Sequence, residues 1–219
     1  ENIAPETKIL AVIKTDGYGH GGVPIARMLE NLDFMFGYAA ATYEEAHVLR
    51  EAGVKKPILI LGYTFPYCYE ELIREEVRPA VYRRDTVEEL AEAAVKVGKK
   101  ARVHIKVDTG MGRIGITPDD EGLQFVKFIM EHPGLEVEGI FTHFAKSDEA
   151  DKTSANRQLE LFQNFIHRIQ SELGLDIPVK HCSNSAAILE MPQANMDMVR
   201  AGITTYGLYP SEEVSKDIV

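Results

Sequence analysis

The chain has 219 residues, of which 45% are hydrophobic and 26% are charged, a composition typical of globular proteins and not of disordered or collagen-like ones. Its formal net charge of −10 argues against a nucleic-acid-binding surface. Cys68 and Cys182 are far apart and have no CxxC spacing, so we expect no disulfide framework, no zinc site and a protein of the reducing cytoplasm. The apolar runs are much shorter than the ~20 residues of a membrane-spanning helix, which leaves small molecules and other proteins as partners.

Short apolar runs alternate with amphipathic helix patterns along the chain, which predicts parallel strands joined by helices. Eight strands are predicted, and they are Ile9–Lys14, Phe36–Ala41, Pro57–Gly62, Arg78–Tyr82, Arg102–Val107, Val137–Thr142, Pro178–Cys182 and Met196–Arg200. Eight strand–helix units in one chain favour an α/β fold of the closed (β/α)8 TIM-barrel type over an open doubly wound sheet. We expect one barrel domain over residues 1–210, shortened at its N-terminus, and a linker stub over residues 211–219 that leads into a further domain.

Capping signals mark the ends of the predicted helices. Thr42 followed by Glu45 predicts a capping box, and Gly53 predicts the left-handed residue that ends that helix. Asp85 and Glu88 form a similar pair at the start of a later helix.

Polar residues collect at the predicted strand ends, where barrels of this type carry their chemistry. Lys14 is unusual, because it ends an apolar strand and desolvating an ammonium group costs several kcal/mol unless the group is paired. The residues at or after later strand ends are Asp108, Arg113, His143, Ser183, Asn184, Ser185, Arg200 and Gly202. Small hydroxyls and glycines after the last two strands predict a phosphate site. With a lysine able to form a Schiff base, Tyr18 as an aromatic neighbour and an arginine for a ring nitrogen, they suggest pyridoxal phosphate.

Five stretches, in order along nearly the whole chain, resemble the barrel domain of bacterial alanine racemases, which are fold-type III pyridoxal-phosphate enzymes. These stretches are AVIKTDGYGHG (Ala11–Gly21), KVDTGMGRIG (Lys106–Gly115), GIFTHFAKSDE (Gly139–Glu149), HCSNSAA (His181–Ala187) and MVRAGITTYGLYP (Met198–Pro210). The resemblance implies a homodimeric isomerase that converts L-alanine to D-alanine for cell-wall peptidoglycan, with an amino acid as its small-molecule substrate.

The resemblance also implies a role for each matching residue. Lys14 would bind the cofactor as a Schiff base and act as the base on one face of the substrate α-carbon. Tyr18, Ser185 and the backbone N–H groups of Gly202 and Ile203 would bind the phosphate.

Further matching residues would complete the site. Arg200 would face the pyridine nitrogen, which would stay unprotonated because a guanidinium group keeps its proton. Arg113 would reach the cofactor phenolate and the substrate carboxylate, and Asn184 would join the cofactor-binding residues. His143 and His181 would form a hydrogen-bonded shell around Arg200.

Several alternatives stay open at this point. Lys106 is carbamylated in some family members, but an unmodified lysine paired with Asp108 is an equal reading. Asp16, after Lys14, departs from the family pattern and adds a negative charge near the phosphate site, so we expect it to point away. No His-x-His pair ends the first strand, so we expect no metal.

The predicted function has alternatives too. The barrel could bind pyridoxal phosphate without catalysis, or it could belong to a serine racemase. The family's second base is a tyrosine from a C-terminal β domain of the other subunit. We therefore expect residues 1–219 by themselves to be inactive or nearly so.

Overall fold

A ring of eight parallel strands forms the centre of the molecule in the computed structural model, which describes residues 2–216. The strands are Lys8–Val12 (β1), Met35–Ala40 (β2), Ile58–Ile60 (β3), Val77–Val81 (β4), Ala101–Lys106 (β5), Leu135–Phe141 (β6), Val179–His181 (β7) and Met198–Ala201 (β8). Their order is β7-β6-β5-β4-β3-β2-β1-β8, so each pair consecutive in sequence from β1 to β7 is also adjacent in space.

The two ends of this order meet and close the ring. The N–H group of Asp197 donates to the carbonyl of Lys180 (3.2 Å), and that of Arg200 donates to the carbonyl of Ser183 (3.0 Å). The predicted (β/α)8 TIM-type barrel is thereby confirmed.

Helical segments connect the strands. They are Lys14–Tyr18 (α1), Gly22–Leu29 (α2), Tyr43–Glu51 (α3), Tyr69–Arg74 (α4), Arg84–Val97 (α5), Asp120–Met130 (α6), Thr153–Leu173 (α7) and Ser185–Glu190 (α8), with 3₁₀ turns at Pro66–Cys68, Pro192–Ala194 and Ile203–Tyr206. The long helix α7 buries Phe162, Phe165 and Ile169 on one face, as an amphipathic helix does. No helix among residues 2–216 is both long enough and apolar enough to cross a bilayer.

Apolar side chains fill two separate layers. The larger core lies between the strands and the surrounding helices, and it includes Tyr38, Leu90 and Phe162. A smaller cluster packs inside the barrel, with Leu10 and Leu59 among its members. Burying this surface supplies most of the driving force for folding.

The predicted strand ends lie within about two residues of the observed ones, which is the usual accuracy of boundaries. The largest functional difference is at β1, which ends at Val12 and not at Lys14. Lys14 instead begins α1, since the backbone leaves the extended conformation at Ile13.

The capping predictions were partly wrong. Thr42 Oγ1 accepts a hydrogen bond from the N–H of Glu45 (3.4 Å), as predicted, but the Glu45 carboxylate does not return to Thr42. It binds the N–H groups of Ala41 (2.8 Å) and Thr15 (2.7 Å) instead, because α1 lies against this end of α3.

The predicted cap at Asp85 was wrong. Helix α5 begins at Arg84, so Asp85 already lies inside its first turn. The Asp85 carboxylate accepts hydrogen bonds from Arg83 and from the N–H of Thr86.

Part of the predicted linker packs on the barrel. Val214 is buried, and Ser211 Oγ donates to the carbonyl of Asp148 (2.6 Å). Residues 217–219 of the predicted linker lie outside the described residues, so its role as a connection stays a prediction.

Candidate active site

A cavity of about 660 Å³ opens at the carboxyl ends of the strands, and its size is in the range of small-molecule sites. All nine site residues predicted from the sequence line it. They are Lys14, Tyr18, Arg113, His143, Asn184, Ser185, Arg200, Gly202 and Ile203. The closed barrel brings them together because every parallel strand ends on this face.

An unusual left-handed turn follows Lys14 at the edge of the cavity. The φ angles of Thr15 (56°), Asp16 (50°), Gly17 (61°) and Tyr18 (53°) are all positive. For residues other than glycine this conformation costs roughly 1–2 kcal/mol each. The turn places Lys14 Nζ 5.9 Å from the centre of the Tyr18 ring.

Two carboxylates hold this strained turn in place. Glu45 Oε1 accepts from the N–H of Thr15 (2.7 Å), and Asp16 Oδ1 accepts from the N–H of Gly22 (2.8 Å) at the start of α2. Because a carboxylate at a helix N-terminus is favourable, the charge of Asp16 has a partner of its own beside α2.

Replacing Glu45 with glutamine is expected to lower the free energy of unfolding by about 1–3 kcal/mol. The carboxylate accepts from two N–H groups, one on each oxygen, and an amide has only one accepting oxygen. Urea denaturation measures the effect. The control is Glu51→Gln on the same helix, whose side chain is 69% exposed, and an equal effect of the two substitutions would contradict this reading of Glu45.

Hydroxyl and backbone N–H groups form a cradle at one end of the cavity. Ser185 Oγ accepts from the N–H groups of Gly202 (3.0 Å) and Thr204 (3.3 Å). Asn184 caps α8 through its Oδ1 atom, which accepts from the N–H of Ala187 (3.0 Å) and from Ser147 Oγ (2.9 Å). Since that oxygen is already engaged, cofactor binding by Asn184 stays a prediction.

Arg200 is buried and heavily hydrogen-bonded. It donates to the carbonyls of Thr142 (2.8 Å), Cys182 (3.0 Å) and His181 (3.2 Å). It also lies within hydrogen-bond distance of the Nδ1 atoms of His181 (2.9 Å) and His143 (3.3 Å), so both predicted histidine contacts are present. Burial lowers the pKa of Arg200 to about 10, so it is a cation at neutral pH.

The two histidines beside Arg200 are neutral at pH 7. Burial, followed by repulsion from Arg200 and Arg113, lowers the pKa of His143 to about 3. Burial and Arg200 also lower the pKa of His181 well below its ordinary value. Each neutral ring can therefore accept a hydrogen bond at Nδ1.

Lys106 is a second buried basic residue beside Arg200, with 3% of its surface exposed. Its Nζ donates to the carbonyl of Val107 (2.7 Å) and lies 5.5 Å from the centre of the Phe141 ring. The ion pair with Asp108 is not formed within residues 2–216. The Asp108 Oδ1 atom instead accepts the N–H groups of the glycine-rich loop at Gly110 (2.9 Å), residue 111 (2.9 Å) and residue 112 (3.1 Å).

The stability contributed by Lys106 is expected to depend on pH. Burial and the Arg200 charge lower its pKa to about 7, against ~10.4 in an unfolded chain. Between these values the unfolded chain binds a proton that the folded chain does not, so stability rises with pH. The free energy of unfolding, relative to Lys106→Met, should therefore increase by several kcal/mol from about pH 7 to about pH 10.

The measurement is urea denaturation in buffer free of CO₂, because a neutral amine adds CO₂ to form a carbamate. Lys96→Met, at an exposed position of α5, is the control and should show no such trend. A difference that stays constant with pH would contradict the lowered pKa of Lys106.

The cavity is positively charged although the chain as a whole is acidic. Its lining includes four basic residues and one acidic residue, and these are Lys14, Lys106, Arg113, Arg200 and Asp148. Arg113 is exposed and makes no hydrogen bond or ion pair within residues 2–216. Focused positive charge of this kind attracts an anionic ligand.

A family model described as "Alanine racemase, N-terminal domain" matches residues 1–210. The chain belongs to the alanine racemase family. Among its relatives, the alanine racemase of Clostridium perfringens (strain SM101 / Type A) is 48% identical over 217 residues, which are 99% of this chain and 55% of the relative. That of Desulforamulus reducens is 46% identical over 214 residues, which are 98% of this chain and 57% of the relative.

Solved structures of alanine racemases also resemble the chain. That of Clostridium difficile 630, in complex with cycloserine, has a TM-score of 0.95 and 40% identity, and the match covers 99% of this chain and 59% of that one. That of Bacillus anthracis, with bound L-Ala-P, has a TM-score of 0.88 and 36% identity, and covers 96% and 54%. The chain thus spans little more than half the length of these alanine racemases.

Several residues that support the candidate site are not among those predicted from the sequence. Glu45 is predicted only as a helix cap, and His104 and Glu138 lie inside predicted strands without a predicted role. A signal for His104 was present, because in Arg102–Val107 it alternates with apolar residues and so faces the barrel interior. No local signal links Glu45 to Thr15, since they are 30 residues apart.

Proposed function

We propose that the protein as a whole interconverts L-alanine and D-alanine with pyridoxal phosphate, and that this reaction supplies D-alanine for cell-wall peptidoglycan. The observation that carries the proposal is a single cavity lined by an amine (Lys14), a buried guanidinium (Arg200) and a cradle of hydroxyl and N–H groups. Family membership supports it. So do the ligands of two relatives, L-Ala-P and cycloserine.

The residues of the cavity fit pyridoxal phosphate. A Cβ atom built on Gly202 would lie 3.4 Å from Ser185 Oγ and 3.9 Å from Tyr18 Oη. Glycine at this position therefore leaves space beside two hydroxyl groups, which can donate hydrogen bonds to a phosphate. Val12 and Leu61 add apolar walls for a ring.

Each basic residue would have a separate task. The cofactor, when bound, supplies delocalisation of the negative charge that develops at the substrate α-carbon. Lys14 Nζ would remove or return the proton on one face of that carbon, and Arg113 would bind the substrate carboxylate through its unpaired guanidinium. Arg200 would donate a hydrogen bond to the ring nitrogen and keep its proton, which limits further charge withdrawal into the ring.

The test is to add pyridoxal phosphate, record the absorption band of the bound form, reduce with borohydride and map the modified peptide. We expect the pyridoxyl group on Lys14, and D-alanine to form from L-alanine faster than D-serine forms from L-serine. Attachment to Lys106 or another lysine would overturn the assignment of the amine. Attachment to Lys14 without racemisation of either amino acid by the full-length protein would favour a non-catalytic cofactor-binding barrel.

We further propose that the full-length protein is a cytoplasmic homodimer in which a tyrosine from the other subunit is the second base. Membership of the alanine racemase family supports this part of the proposal. Residues 1–219 alone would then racemise alanine slowly or not at all. A rate equal to that of the full-length protein would contradict this part of the proposal.

A further inference from the structure

A linear series of hydrogen bonds, called here the hydrogen-bond file, runs from Arg200 through the barrel interior to Arg78, away from the cavity. Arg200 Nη1 lies 2.9 Å from His181 Nδ1, and His181 Nε2 lies 3.0 Å from His104 Nδ1. His104 Nε2 then lies 3.1 Å from Glu138 Oε2. Arg78 ends the file, with Nε and Nη2 donating to the two Glu138 oxygens (3.0 and 3.1 Å).

The chemistry of its two ends determines the direction of every hydrogen bond in the file. A guanidinium only donates, so His181 Nδ1 must accept and its proton must be on Nε2. That proton is donated to His104 Nδ1, which places the His104 proton on Nε2 as well. An ionised carboxylate only accepts, so Glu138 accepts the hydrogen bond from His104 Nε2 and fixes the direction of the hydrogen bonds before it.

The charge states agree with this direction. Burial raises the pKa of Glu138, but the hydrogen bonds from His104 and Arg78 outweigh it and bring the pKa down to about 2. Burial lowers the pKa of His104, as it does that of His181. At neutral pH the file therefore contains an anion, two neutral rings and the two flanking arginines.

A β-bulge in β6 positions Glu138 beside His104. Val103 pairs with Val137 and His104 pairs with Gly139, so Glu138 is an extra residue in β6 and forms a bulge. A Cβ atom on Gly139 would lie 2.4 Å from His104 Nδ1, closer than atoms can approach. Glycine at this position thus makes room for the His104 ring.

The His181 ring is also fixed in its plane. It stacks on Phe141, with ring centres 4.9 Å apart and an angle of 8° between planes.

Both terminal nitrogens of Arg200 are engaged by histidines and carbonyls. Within residues 2–216, Nε is the one Arg200 nitrogen without a hydrogen bond.

We propose that Glu138 is a positioning residue: through His104 and His181 it holds Arg200 so that the Nε–H group is directed to the cofactor ring. This inference deepens the proposed function and rests on it for the identity of the ring. Without the Glu138 acceptor, His181 can carry its proton on Nδ1, which then opposes the N–H group of Arg200. The guanidinium would lose one anchor and change its orientation.

The test compares Arg78→Met with the double variant Arg78→Met/Glu138→Leu in the full-length protein. Both lack Arg78, so neither leaves a buried unpaired arginine, and they differ only in the acceptor. The readout is long-range ¹H–¹⁵N NMR of ¹⁵N-labelled histidine without cofactor, which identifies the protonated nitrogen of each ring. We expect Nε2–H for His104 and His181 in the unsubstituted protein and in Arg78→Met, and a mixture for His181 in the double variant.

Activity supplies a second readout. Relative to Arg78→Met, the double variant should lower kcat by roughly 10- to 100-fold, the range seen when the outer hydrogen-bond partner of a metal-bound histidine is removed, with KM changed less than kcat. The control is Glu136→Gln, whose side chain is 48% exposed on the same strand.

The outcomes separate this inference from the proposed function. Unchanged His181 protonation in the double variant, or an Nδ1–H ring in the unsubstituted protein at pH 7, would overturn the inference whatever the activity. Changed protonation supports the inference even if no form of the protein racemises alanine, in which case the proposed function fails. The measurement on the unsubstituted protein decides the matter if the double variant does not fold.

Discussion

Replacing Lys14 with alanine is expected to lower the proposed alanine racemisation by the full-length protein by about 10⁴-fold or more. A positioned general base contributes roughly 10²–10⁴-fold, and the same residue would also bind the cofactor covalently. The rate of D-alanine formation from L-alanine measures the effect. Because the side chain of an alanine leaves space at the cavity wall, added methylamine should restore part of the rate by supplying an amine.

The control for this prediction is Lys8→Ala. Lys8 is the first residue of β1, whereas Lys14 follows the other end of that strand. The Lys8 Nζ atom donates to the carbonyl of Asp33 (2.9 Å). Lys8→Ala should leave the racemisation rate within about twofold, because Lys8 lies at the end of β1 away from the cavity. Its effect on stability should also be small, since surface substitutions usually change it by only ~0.5 kcal/mol. A Lys14→Ala rate within tenfold of the unsubstituted protein would show that another group acts as the base.

Replacing Arg200 with leucine is expected to lower the free energy of unfolding by about 3–5 kcal/mol, because several buried acceptors lose their donor and each costs roughly 1–3 kcal/mol. The substitution removes the donor for the carbonyls of Thr142 and Cys182 and for His181 Nδ1. Each acceptor would stay buried without a partner, because leucine has no donor. Domains are stable by only about 5–15 kcal/mol, so much of the margin would be lost.

Urea denaturation followed by circular dichroism checks this prediction. Arg157→Leu, at an exposed position of α7, is the control and should change stability by no more than about 0.5 kcal/mol. Arg200→Lys should fall between the two, since an ammonium group keeps the charge but lacks the planar fork of donors. A loss below 1 kcal/mol for Arg200→Leu would mean that the buried network contributes little to folding.

The two predictions separate chemistry from folding within one cavity. The Lys14 side chain makes no hydrogen bond or ion pair within residues 2–216, and the turn that follows it is held by Glu45. Its loss should therefore affect turnover much more than stability. Arg200 should affect both, because its terminal nitrogens link β8 to β7 and to the residue that follows β6, while the residue also lines the cavity.

The sequence by itself determined the barrel and most of the cavity lining. Apolar runs of strand length alternate with amphipathic helices, and this local pattern predicts eight strand–helix units without knowledge of contacts. Once the strands are parallel and the sheet closed, their carboxyl ends must share one face. That is why Lys14, His143 and Arg200 could be assigned to one site although they are far apart in the chain.

Only the tertiary structure decided how these residues are held. The left-handed turn after Lys14 depends on the Glu45 carboxylate of another helix, and the low pKa of Lys106 depends on burial beside Arg200. The hydrogen-bond file needs a bulge at Glu138 and a glycine at residue 139 that faces His104. Periodicity reports which face of an element is apolar, whereas these features come from contacts between residues distant in sequence, and they exist only when the barrel has closed.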